Sequence, residues 1–143
     1  MYEIKKAQSD LFSEIKNFLN EVPTLGDIDE EVIKNASVLY LDNNIHGIIS
    51  FESFHNYALI RYFIFKRTVD EMIVKELFVS VLETIKANNI EYVFSIVNQN
   101  EILDLFTALD FYEVSKENVF IEEQNLRTSK FKDTKLLIRK VSI

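Results

Sequence analysis

The chain has 143 residues, a formal net charge of −7, 48% hydrophobic residues and 12 Phe. That length makes one domain able to bury roughly two thirds of its unfolded surface, while the acidity argues against nucleic acid as a partner and favours cationic ones such as amines. Cysteine is absent, which excludes disulfides and thiolate chemistry and fits a reducing cytosol; the N-terminus has no apolar secretory segment, and no run approaches the ~18 apolar residues of a membrane span.

Tyr2–Lys6 reads as a short strand. Ser9 or Asp10 is placed to cap a helix with the stripe Leu11, Phe12, Ile15, Phe18, Leu19 and Val22, ended by Pro23 and Gly26. A shorter helix from Asp27 or Asp29 carries Ile28, Val32, Ile33 and Ala36. Val38–Asp42, Ile45–Phe54 and Tyr57–Phe65 form an antiparallel meander, turned at Asn43-Asn44 and at His55-Asn56. Tyr57–Phe65, YALIRYFIF, holds one charge and no turn former, the mark of a strand buried on both faces.

An amphipathic helix over Glu71–Asn88 follows, with Val74, Leu77, Phe78, Val81, Leu82 and Ile85 on one side. The apolar strand Tyr92–Val97 comes next. Strand, helix and strand within about forty residues predict a right-handed crossover and a parallel strand pair. An Asn at 98 or 100 caps a short helix that buries Ile102, Leu105, Phe106 and Leu109. One long or broken strand lies between Phe111 and Glu123, a polar loop with a basic run spans 124–134, and KLLIRKVSI closes the chain as a strand. There is no internal repeat or linker. The fold class is a single α/β domain, a mixed and mostly antiparallel sheet flanked by helices.

The order β-α-α-β-β-β-α-β-α-β-β resembles that of the GNAT superfamily of acyl-CoA-dependent N-acyltransferases. The resemblance covers almost the whole chain and is most specific from Ala58 to Val114. In that family the last helix usually reads N-x-x-A-x-x-L-Y-x-x-x-G-F, and here the segment runs from Gln99 to Phe111. Leu105 and Phe111 match. Gln99, Ile102, Phe106 and Asp110 stand at the Asn, Ala, Tyr and Gly positions. The resemblance implies acetyl-CoA as cofactor and a small-molecule or protein amine as acceptor. It places Ile64, Lys66, Arg67, Val69, Met72, Ile73 and Val74 along the cofactor and makes Glu52 the candidate base. The family tyrosine commonly protonates the leaving thiolate, which Phe106 cannot do.

The family's phosphate loop, Q/R-x-x-G-x-G/A, falls on Val69–Val74, and none of its signature positions matches. Glycines there let backbone N–H groups at the helix start approach a pyrophosphate closely. Met72 and Val74 set side chains in that place, and Asp70 and Glu71 add charge of the ligand's own sign. Thr68-Val69-Asp70-Glu71 is also a capping box, which would satisfy the helix end without phosphate. The chain has only two Gly in all.

Each candidate has a plainer account. Lys66 and Arg67 hold phosphates or end a strand in solvent; Glu52 is a base or a surface charge. Arg61 is either outward-facing or half of a buried ion pair. His46 and His55 lack metal-ligand spacing, and no P-loop, nucleophile elbow or dinucleotide fingerprint is present. Three readings follow: a decayed acyl-CoA site left as a binding domain, a working N-acyltransferase with an unusual loop, or a structural module that self-associates as a homodimer, for instance through its C-terminal strands. Richness in Ile, Lys, Asn and Phe goes with a bacterial source of AT-rich genome.

Overall fold

The structure, a computed structural model, describes residues 2–22, 27–66, 69–97, 100–114, 120–121, 124–125 and 135–141. Pro23, Gly26, Arg67, Thr68, Asn98 and Gln99 lie outside that set. In chain order the elements are β1 (Tyr2–Lys6), α1 (Phe12–Asn20), α2 (Glu30–Ile33), β2 (Ser37–Leu41), β3 (Asn44–Phe54), β4 (Tyr57–Phe65), α3 (Glu71–Ala87), β5 (Tyr92–Val97), α4 (Asn100–Ala108), β6 (Tyr112–Val114), β7 (Phe120–Ile121), β8 (Gln124–Asn125) and β9 (Lys135–Lys140). Seven strands form one mixed sheet in the order β1-β2-β3-β4-β5-β9-β6, and β7 pairs with β8 apart from it. β4 and β5 are parallel, as the crossover requires, and the remaining neighbours are antiparallel.

The apolar patterns decide which face each helix covers. Leu77, Phe78, Val81, Leu82 and Ile85 of α3 pack with Phe106 of α4 and Leu109 just after it on Leu39, Ile49, Phe51, Ile60 and Val93. On the other face Ile15, Phe18 and Leu19 of α1 join Val32 and Ile33 of α2 over Val38, Ile48 and Tyr62. A buried Ser37–Ser80 hydroxyl pair at 2.7 Å ties β2 to α3.

Local ends differ from expectation where two side chains compete for one role. Neither Ser9 nor Asp10 caps α1. The chain enters through a 3₁₀ turn at Ser9–Leu11, closed by the Leu11 N–H on the Gln8 carbonyl at 2.8 Å, and no side chain caps either start. Asp29 caps α2, accepting from the Glu31 N–H at 3.0 Å. The first hairpin turns on Asp42 (φ 51°) and Asn43 (φ 68°), one residue before the expected Asn43-Asn44. Both residue types tolerate the left-handed region such a turn needs. Of the long or broken strand expected between Phe111 and Glu123, Tyr112–Val114 pairs with β9, and Phe120–Ile121 pairs with Gln124–Asn125, which was expected to be loop.

Two irregularities in β4 shape the rest. Ile49 pairs with Phe63 and Phe51 with Ile60, so Ser50 alone opposes Arg61 and Tyr62. This bulge changes the phase of the strand: Ile60 and Phe63 join the α3 core, while Tyr62 turns to the α1 side. The second irregularity is a divergence. β4 and β5 pair only over Tyr57–Leu59, after which β4 stays with β3 and β5 with β9. A wedge opens between the two parallel strands beyond Leu59.

Candidate functional site

One side of the wedge is Ile60–Phe65 of β4, and α4 reaches it through Phe106. The Lys66 N–H bonds the His46 carbonyl at 2.8 Å and the Tyr62 N–H bonds the Ser50 hydroxyl at 3.3 Å, so these residues turn their backbone groups toward β3. By the alternation of a strand, Phe63 and Phe65 turn theirs into the wedge. The Phe65 ring lies across Gly47; a Cβ there would sit 2.5 Å from the ring, so glycine is what allows this approach.

Aromatic rings fill the floor. Phe63 lies 5.4 Å from Phe65 and 4.9 Å from Phe106, which in turn lies 5.0 Å from Phe111. Phe106 is 2% exposed. The position that carries a phenol in the resembled family therefore holds a buried phenyl packed ring on ring. Tyr112 does not replace it, since β6 lies at the sheet edge with β9 and β5 between it and β4.

The start of α3 is closed from within the chain. Asp70, not Thr68, is the N-cap. Its carboxylate accepts from the Met72 N–H at 2.8 Å, and its carbonyl accepts from the Ile73 and Val74 N–H groups at 2.9 and 3.1 Å. This is a single side-chain cap and not the expected capping box, because Ile73, three residues on, has no group to return a bond to the Asp70 N–H. Asp70 enters the helix extended (φ −54°, ψ 135°) and sets a negative charge on the positive end of the helix dipole. Thr68 and Arg67 lie outside the described residues.

The side chains at the two glycine positions do not stand in the wedge. Val74 is 4% exposed and packs into the α3 core, and Met72, 72% exposed, lines a groove toward Ile4 of β1. Helical periodicity turns both side chains away from the first turn of α3, and it is the Asp70 carboxylate that occupies the helix end. Val69 and Ile73 rest half-buried against the α3 core and Ile64 against the α1 core.

The remaining candidates are dispersed. The Lys66 ammonium lies 3.2 Å from the Glu21 carboxylate, on the α1 side. Arg61 donates to Glu52, and both are partly exposed, so Arg61 is paired without being buried. The Glu52 carboxylate is then committed to a cation. The Tyr62 hydroxyl accepts from the Asp29 N–H at 3.0 Å and fixes the entry to α2 over β4. The bulge and this bond had no signal in the sequence, because Ser50 sits in an otherwise regular apolar run. Among the described residues no cluster of His, Asp or Glu could hold a metal ion, and no helix is long and apolar enough to cross a membrane.

No family profile and no curated protein matches the sequence. Solved structures do match in shape. The N-acetylglutamate synthase from Neisseria gonorrhoeae, solved with coenzyme A and N-acetyl-glutamate, superposes with a TM-score of 0.76 at 16% identity over 100% of this chain and 36% of that one. This chain thus spans about a third of that enzyme's length. A GNAT-family acetyltransferase from Streptococcus pneumoniae gives 0.71 at 17% identity, over 99% of this chain and 100% of its own. A probable acetyltransferase from Staphylococcus epidermidis gives 0.68 at 13% identity over 99% and 100%. The chain has the GNAT fold.

Proposed function

We propose that this GNAT-fold domain binds a ligand or partner without transferring an acyl group, its acetyl-CoA site having decayed. The observation that carries this reading is the Asp70 carboxylate on the Met72 N–H at 2.8 Å. An anion at that helix end would have to displace a charge of its own sign and leave it without its bond. The buried Phe106 supports the reading independently, because the acid position has no proton to give. A cytosolic setting goes with the cysteine-free composition.

One observation favours a second reading, an active N-acyltransferase acting on a small or protein amine. The wedge keeps strand backbone turned toward its interior at Phe63 and Phe65, where an amide-bearing cofactor arm can bond, and Lys66, Arg67 and Glu52 would supply the charges. Release of thiol from acetyl-CoA, followed with a panel of primary amines and amine-bearing peptides, separates the two. The decayed site predicts no rate above spontaneous hydrolysis at any amine concentration. A rate that saturates in both substrates overturns it.

A further inference from the structure

β1 is one outer strand of the seven-stranded sheet, and its pairing with β2 leaves the other side free of any described strand. The Ala7 N–H bonds the Ala36 carbonyl at 2.9 Å, which places the odd-numbered residues in the ladder to β2. Tyr2, Ile4 and Lys6 therefore direct their N–H and C=O groups outward. Their side chains share the α3 face. The Tyr2 hydroxyl donates to the Glu76 carboxylate at 2.8 Å, and the Lys6 ammonium lies 3.9 Å from Glu83. Ile4 lines a groove of about 600 Å³ with Met72 and Val79. Tyr2, Met72 and Val79 are three of the four large apolar residues left exposed among the described ones, at 39%, 72% and 43%. A free strand edge beside an apolar groove is what a protein must either cover or guard.

We propose that a second copy of this chain covers it, the two β1 strands pairing antiparallel about a twofold axis at Ile4. The charges select both occupant and register. With the axis at Ile4, Glu3 faces Lys5 of the partner subunit and Lys5 faces Glu3 of the partner subunit. Moving the axis to Glu3 or to Lys5 still pairs the outward backbone groups of two of the three residues but sets Glu against Glu or Lys against Lys, which is unfavourable across strands. Only the Ile4 axis gives every outward N–H and C=O of Tyr2, Ile4 and Lys6 a partner in both copies. On the α3 face it brings Lys6 of the partner subunit beside Tyr2 and hence toward Glu76. It also joins the two Met72–Val79 grooves into one apolar surface. The sheet becomes continuous through the dimer and the interface is isologous. This pairing does not depend on what the wedge binds.

Two experiments test the register. The chain has no cysteine, so single cysteines report on proximity without background. Residues facing each other in a hydrogen-bonded antiparallel pair have Cα atoms ~5.5 Å apart, within disulfide reach. Under mild oxidation Ile4→Cys should cross-link to a dimer. Lys6→Cys alone should not, while an equimolar mixture of Lys6→Cys and Tyr2→Cys should. In sedimentation or light scattering the unmodified chain should show a concentration-dependent dimer. Lys5→Glu, which sets like charges opposite twice, should weaken it by about tenfold. Glu3→Lys combined with Lys5→Glu should restore it. A chain that stays monomeric at all concentrations overturns the proposal. So does a dimer indifferent to Lys5→Glu, since another face would then hold it, and so does an Ile4→Cys variant that cross-links no better than Lys6→Cys.

Discussion

Phe106→Ala is expected to destabilise the domain by about 3–5 kcal/mol, the range for an aromatic ring removed from a packed core. Phe106 is 2% exposed and stands between Phe63 at 4.9 Å and Phe111 at 5.0 Å, so its loss leaves a cavity where α4, β4 and the segment between α4 and β6 meet. Urea unfolding should show a lower midpoint with an unchanged slope. Phe106→Tyr is the informative companion. If the ring serves packing alone, a phenol there gains no transfer activity, and its hydroxyl, unless it reaches water or a bond, costs about 1–3 kcal/mol. A loss under 1 kcal/mol in Phe106→Ala would mean that this part of the wedge is loosely packed, and the description of a filled floor would fail.

Arg139→Met is expected to act in the opposite direction and stabilise the domain, by about 1–4 kcal/mol if the pattern for ill-compensated buried charge holds. The Arg139 side chain is 11% exposed. Among the described residues its Nε and Nη1 are buried without a hydrogen-bond partner, and Nη2 alone approaches a carboxylate, that of Asp110 at 3.7 Å. Asp110 is 81% exposed and gives up little to water when that contact is lost. The guanidinium also lies 5.6 Å over the Phe78 ring, an apolar neighbourhood in which methionine fits. A raised midpoint in denaturant checks the expectation. A marked fall would show that the guanidinium is better compensated than its neighbours indicate.

Much of this was legible in the sequence. The bounds of β4 and β5 and the start of α3 follow from apolar runs and from a helical period long enough to outweigh local alternatives. The parallel pair follows from the crossover between them. Caps were less legible, because Thr68 and Asp70 both suit the role and the path of the chain into the helix decides between them. Val74 is instructive. Its place in the apolar stripe assigns it to the core, while alignment to the phosphate loop sets it against a ligand. The periodicity prevails, with Val74 4% exposed. The bulge at Arg61-Tyr62 was not legible, since nothing in a regular apolar strand marks where the opposite strand supplies one residue for two.

If the start of α3 receives no pyrophosphate, as proposed, thermal unfolding with millimolar acetyl-CoA, and with coenzyme A alongside, shows it. A ligand bound only to the native state at about 100 times its dissociation constant contributes roughly 2.7 kcal/mol. In a domain of this length that raises the melting temperature by several degrees. With the Met72 N–H already bonded to Asp70, the melting temperature should be unchanged by either compound. A rise of several degrees with acetyl-CoA would contradict it.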